Sequence, residues 1–482
     1  MNVSARTADR PDRVAGGVVT LLAAAVALAS ARPYAGGWND GSRLATVESL
    51  VDRQTLEIDK SIFVRAPGSA PAAPNPYTPG DEALQATGTC DKLLIDKPSI
   101  GRHYYSDKSP LPAVTLAGWY LVLKRTFDLE AREVPGKFCY WMTIGSSGLG
   151  DVAAVWCTYQ LGLVVGLRLS TRLLLTASLA LATVAPTYAR HVNNHAMLLG
   201  VVAALVLSLA KMAQETASVS TPGTPWARLL EAGTLTGLGY AIDLGVGPPL
   251  VLATAGLVAW RTRRPTAIAV FLLAAAPWIA GHHALNYEIG GRLAPANSLP
   301  EHFQWPGCPF TPETMTGGWH HSSFWRFLLY APDLLVGKQG FLSFNLPLFL
   351  AVAGFFVLWR RRVAEWPELL FCAALSLVVW LVYAAFSTNH SGVCCSVRWF
   401  VPLLAPGYYV LAVLLREEPG CFRDFLLLSG FGFVLSAICW VNGPWFGQVP
   451  FGFWGIYPAA LIAWGACELR RRAERRAANV QG

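Results

Sequence analysis

Long apolar runs alternate with arginine clusters along most of this 482-residue chain, and the clusters fall at every second boundary. A bilayer core about 30 Å thick is crossed by about 20 mostly apolar residues in a helix, and loops rich in Lys and Arg stay cytoplasmic. Read with these two rules, the runs at residues 14–31, 138–167, 173–188, 196–210, 229–246, 248–260, 267–284, 341–359, 369–386, 399–415, 425–441 and 451–466 predict about twelve transmembrane helices. Arg168 and Arg172, Lys211, Arg261 with Arg263 and Arg264, Arg360 to Arg362, Arg416, and Arg470 to Arg472 with Arg475 and Arg476 then share one side. One miscounted helix would invert every later loop, so the agreement tests the count.

Composition fits this reading. Charged residues make up 14% of the chain, against about 25% in soluble domains, and apolar residues 53%. That excludes an ordinary soluble enzyme. The net charge of +8 could suggest nucleic acid, but the basic residues are not gathered on one solvated face. The chain has no phosphate-binding Walker loop, dinucleotide fingerprint or zincin motif, which argues against an ATP-driven pump or a membrane protease.

The expected fold is an all-α polytopic membrane protein with both termini cytoplasmic. Residues 1–35 form a tail with Arg6, Arg10 and Arg13 followed by the first helix, read as an uncleaved anchor rather than a signal peptide. Residues 36–137 form a large first extracytoplasmic loop. Within it, the apolar piece at 111–123 is too short to span and reads as an interfacial helix, and the Pro- and Ala-rich stretch around Pro71 reads as flexible. Helices follow over 138–284, a second outer loop over 285–340, further helices over 341–467 and a basic cytoplasmic tail over 468–482.

Ionisable residues beside membrane helices are costly unless they serve something, and the densest set lies in the first outer loop. WNDGSRLATVESLVDRQTLEID follows the first helix, and GRHYYSDKSPLPAV closes the loop. Two roles fit Asn39 and Asp40: an N-cap for the helix that starts near Ser42, or, for Asp40, a general base with Arg43 as phosphate ligand. His191 and His195 stand four apart and would suit a metal on a helix, but no third ligand is near, so a capping or acceptor-pocket role is the stronger reading. His282, His283, His320 and His321 read as solvated loop residues. Arg398, beside Trp399 at a helix start, either snorkels to the interface or binds phosphate. A Cys90–Cys308 bridge would join the two large loops, and spacing alone leaves the pairing open.

The Asp just after the first span, together with YSDKSPL at the end of the first loop, resembles the GT-C glycosyltransferases that use polyprenyl-phosphate sugars, in the bacterial protein mannosyltransferase and aminoarabinose-transferase branch. Asp40 matches that family's first acidic residue, and Asp107, Lys108 and Pro110 match its acidic-Lys-Pro-Pro element. Gly41 stands where many members have Glu, and Ser109 where they have the first Pro. SVRWFVPLLAP at 396–406 adds to the likeness. The resemblance implies a GT-C-like fold and an inverting sugar transfer outside the cytoplasm in a bacterial inner membrane. Its donor would be lipid-linked and its acceptor a glycan, lipid or protein. Asp40 would be the base, with Arg43, Tyr105, Asp107, Lys108, His191, Asn194 and Arg398 as substrate contacts. No cofactor is required, and a divalent metal remains open. The alternatives are a transporter or flippase, which would be expected to show internal repeats and mid-membrane charges, or a non-catalytic partner in envelope polysaccharide assembly.

Overall fold

A computed structural model describes residues 10–66, 74–217, 225–446 and 449–481. Arg6 and Pro71 lie outside the described residues. Among the described residues the regular structure is helical apart from one hairpin, in the segment that follows the first helix. Among the described residues seven helices are long and apolar enough to cross a bilayer: Arg10–Ser30, Pro135–Val165, Asn194–Thr216, Pro265–Gly290, Trp366–Phe386, Arg398–Glu417 and Pro419–Asn442. An eighth span is added if Phe324–Phe344 and Pro347–Arg361, bent by 106° at their junction, count as one. This is an integral multi-pass membrane protein.

The expected count of about twelve is not confirmed. The expected run at 173–188 breaks into Leu169–Leu181 and a separate turn of helix at Ala185–Tyr188. Trp226–Ile242 and Gly247–Thr262 have 17 and 16 residues, about 25 Å each, and fall short of the bilayer core. Helices are packed closely through small residues: a Cβ on Gly200 would strike the Gly150 backbone and one on Gly150 the backbone of Ala196 and Met197, so Pro135–Val165 and Asn194–Ala217 meet main chain to main chain.

The first outer loop is ordered where it is described. After α1 (Arg10–Ser30), α2 (Trp38–Asp52) begins at once, followed by α3 (Glu82–Thr87), β1 (Lys92–Lys97), β2 (Gly101–Ser106) and α4 (Pro110–Phe127). β1 and β2 pair antiparallel in the register Lys92↔Ser106 to Lys97↔Gly101. Gly101 closes the turn at φ +87°, a conformation disfavoured for residues with a Cβ. The sequence reading misses this hairpin. The apolar piece expected at 111–123 is the centre of α4, which lies along α2. All described cysteines are free thiols, so Cys90 and Cys308 share an apolar cluster without a bridge.

Candidate active site

The hairpin register brings Asp91, just before β1, beside Ser106, Asp107 and Lys108, where β2 ends. Lys108 Nζ lies 2.7 Å from Asp91 and 2.8 Å from Asp107, held between two carboxylates. Ser42 of α2 fastens this end: its hydroxyl donates to the Asp91 carbonyl at 2.5 Å and meets the Ser106 hydroxyl at 2.6 Å. One residue on, Arg43 is buried, donating Nε to Asn39 Oδ1 at 3.4 Å while Nη1 finds no hydrogen-bond partner among the described residues.

Three other segments complete the wall. Asp243 lies between the Trp226–Ile242 and Gly247–Thr262 helices. Tyr383 donates to its Oδ1 at 2.9 Å, as does the Gly245 N–H. Asn194 Nδ2 donates to its Oδ2 at 3.1 Å, and His195 Nδ1 lies 3.3 Å from that oxygen. Tyr383 stacks on Trp399 with centroids 4.4 Å apart. Arg398, next in line, is placed by its backbone N–H, which donates to Ser391 Oγ at 3.0 Å, and its guanidinium lies over the Trp445 ring. Its Nε, like Arg43 Nη1, is buried without a partner.

These segments enclose a cavity of about 740 Å³. Its lining is part polar, with Asn39, Arg43, Asp107, Lys108, Asn194 and Arg398, and part apolar, with Phe303, Phe310, Met315, Val382 and Phe386. A volume of this size suits a small ligand, and an arginine pair suits phosphate. A second cavity, about 360 Å³, lies between the hairpin and residues 290–302 and takes none of these residues.

Five of the eight candidates therefore converge: Arg43, Asp107, Lys108, Asn194 and Arg398. Three do not line the cavity. Tyr105 packs under the hairpin with Leu93, Ile289 and Phe303. His191 turns the other way from His195, its Nδ1 3.6 Å from Asp40, so the two histidines share no ligand position. Asp40 itself is fully buried one layer behind Asn39. Its Oδ2 accepts the Gly36 N–H at 2.6 Å and its Oδ1 has no hydrogen-bond partner among the described residues. Trp445 covers the Gly36–Gly37 corner beside it. Gly37, not Asn39 or Asp40, is the N-cap, and both candidates sit in the first turn of α2.

Burial dominates the electrostatics. It pushes the Asp40 carboxyl up to about 7, against the pull of the Gly36 N–H, Arg398 and Arg43. It lifts Asp107 to about 6 although Lys108 opposes the shift. Arg43 falls to about 10, kept protonated with the help of Asp107 and Asp243. Burial lowers His191 to about 4, so it is neutral beside Asp40 at pH 7.

Gly41 also has a physical reason. A Cβ there would collide with the Tyr77 hydroxyl, which donates to the Phe63 carbonyl at 2.6 Å. Tyr77 thus fills the space at the position where the resembling family often carries a second acid.

No family model matches the chain, and no curated protein matches it. Solved structures do. The apo crystal structure of ArnT from Cupriavidus metallidurans aligns with a TM-score of 0.51 at 15% identity, over 88% of this chain and 63% of that one. The chain has the fold of ArnT. A second ArnT structure, bound to undecaprenyl phosphate, aligns at 0.49 and 13% identity over 95% of this chain and 75% of its own. The apo oligosaccharyltransferase of Archaeoglobus fulgidus aligns at 0.45 and 12% over 89% and 55%. The chain spans 63% of the length of apo ArnT.

Proposed function

We propose that the protein is a membrane glycosyltransferase that moves a sugar from a polyprenyl-phosphate donor to an acceptor outside the cytoplasm. The observation that carries this reading is the cavity's pair of arginines, Arg43 buried and Arg398 half-buried, each with a buried nitrogen that has no partner among the described residues and neither ion-paired, in a cavity whose lining also holds apolar side chains. Guanidinium groups left open in this way match a phosphate, and the apolar part of the lining suits the first carbons of a lipid. Lys108 is already neutralised by Asp91 and Asp107 and is better suited to hold the hairpin end than to bind phosphate. The likeness in fold to ArnT, a protein crystallised with undecaprenyl phosphate, supports the same donor class.

In the proposed reaction an acceptor heteroatom attacks the anomeric carbon as the bond from that carbon to the phosphate oxygen breaks. The electron pair stays on the lipid phosphate, stabilised by Arg43 and Arg398, and the configuration inverts. The acceptor's proton goes to a carboxylate. Asp243 lines the cavity but already accepts from Tyr383, Gly245 and Asn194. Asp40 has a free Oδ1 and a pKa of about 7, matched to taking a proton at neutral pH. We therefore assign the base to Asp40, reached by the acceptor once Trp445 moves off the Gly36–Gly37 corner. Asn194 is assigned to hold Asp243, and His191 to hold Asp40. The protein is placed in a bacterial inner membrane, with both termini cytoplasmic and the cavity on the outer face.

The test is turnover of a panel of polyprenyl-phosphate sugars by the purified protein. Asp40→Asn should lower kcat by about 10³ with donor affinity retained. Wild-type turnover by Asp40→Asn would remove the base assignment. Absence of turnover with every donor, joined to coupled solute uptake in liposomes, would replace the enzyme by a transporter.

A further inference from the structure

Glu57, Asp59 and His103 form a second cluster, on the outside of the first loop and away from the cavity. Residues 57–59 run beside β2: Glu57 bridges to Tyr105, the Ile58 N–H donates to the Tyr104 carbonyl at 2.8 Å, and the Tyr104 N–H donates to the Asp59 carboxylate at 3.1 Å. His103 Nδ1 then lies 3.3 Å from Asp59 Oδ2 and 3.5 Å from Glu57 Oε2. All three ligand atoms fall within 4.8 Å of one another.

The other ring nitrogen fixes the argument. His103 Nε2 lies 3.0 Å from the Ile100 carbonyl, which can only accept, so Nε2 carries the proton. In the neutral ring, Nδ1 therefore aims its lone pair at two carboxylates. Among the described residues neither Glu57 nor Asp59 has a lysine or arginine partner, so two negative groups and one lone pair face each other without a cation. An imidazolium would answer this with hydrogen bonds of about 2.7–2.9 Å, and both distances are longer. They match a different arrangement: ligands about 2.05 Å from a tetrahedral zinc ion stand about 3.3 Å apart. The Nε2–H to backbone carbonyl bond is also how metal-bound histidines are usually oriented.

We propose that Glu57, Asp59 and His103 bind a divalent cation of the zinc class, with a water in the fourth position. The imidazole selects zinc over magnesium or calcium, which prefer oxygen ligands alone. Each ligand is about 30% exposed, 28% for Glu57, 27% for Asp59 and 31% for His103, so an ion can enter from solvent. The ion would tie the strand leaving α2 to β2, three residues before β2 ends at Ser106 and hands on to Asp107 and Lys108.

The test is zinc titration of the full chain in nanodiscs, purified without a histidine tag and stripped with chelator. Wild type should take up one equivalent, and zinc should slow amide exchange over residues 101–108. His103→Ala and Glu57→Gln should each weaken binding by about 100-fold, whereas His320→Ala should bind as wild type does. Glu57→Gln keeps the side-chain volume and serves if His103→Ala does not fold. Failure of wild type to bind zinc at micromolar concentrations overturns the site, as does binding that survives both substitutions. Metal content is read without any donor, so it stands or falls separately from sugar transfer.

Discussion

Arginines at the two ends of the helix bundle live in opposite circumstances. At the end away from the cavity, Arg261 pairs with Glu368, Arg416 with Glu365 at 2.6 Å, Arg471 with Asp424 and Arg172 with Asp12. At the cavity end, Arg43 is buried and Arg398 half-buried, and neither has a carboxylate in salt-bridge contact among the described residues. Removing a charge from water costs several kcal/mol per ion, so paired arginines are what a fold needs and unmatched ones are what a ligand needs. The difference separates structure from function within one residue type.

The comparison can be broken by substitution. Arg43→Ala should lower kcat/KM by about 10³ while leaving the thermal midpoint nearly unchanged, read by donor titration and by a melting curve. A large loss of stability there would make Arg43 a structural residue like the others. Arg261→Ala should do the reverse: leaving Glu368 buried and unpaired costs about 3 kcal/mol of stability, with turnover per folded molecule unchanged. Gly41→Ala sharpens the boundary between the two ends. Its Cβ presses on the Tyr77 hydroxyl, costing about 1–3 kcal/mol in a chemical melt, and the cost should be smaller when measured in a Tyr77→Phe background. The smallest effect is on pH. As the proposed base, Asp40 acts only when deprotonated, and with its pKa pushed up to about 7, kcat/KM should rise about tenfold per unit below pH 7 and level off above it. The same raised value means the protonated carboxyl suits the fold, so Asp40's contribution to stability is lost as pH rises through 7. Asp40→Asn should remove both dependences.

Much of this was legible in the sequence because it rests on local rules. Apolar length and arginine placement gave the helices from Arg10 to Asn442, and the DKSP element marked the loop end that reaches the cavity. The span count stays unconfirmed where helices are short. Packing against neighbours, rather than length, carries Trp226–Ile242 and Leu169–Leu181, and no local pattern reports it. Asp91 and Tyr383 escaped notice because neither stands out among its neighbours in sequence. Asp91 matters through the register of a hairpin, and Tyr383 reaches Asp243 across 140 positions. Asp243 carried the one usable signal, an acid between two apolar runs. Asp40 was found, but its depth behind Asn39 follows from where Trp445 packs, more than 400 positions later.

Those distances have a consequence for biosynthesis. The cavity draws its walls from α2, the hairpin, the start of Asn194–Ala217, the Asp243 corner and Arg398. A chain threading into the bilayer from its N-terminus carries Arg43 early, but the second guanidinium arrives only when residue 398 has left the ribosome. Until then the pocket lacks a wall, and the half-made protein has no complete cavity to offer a ligand.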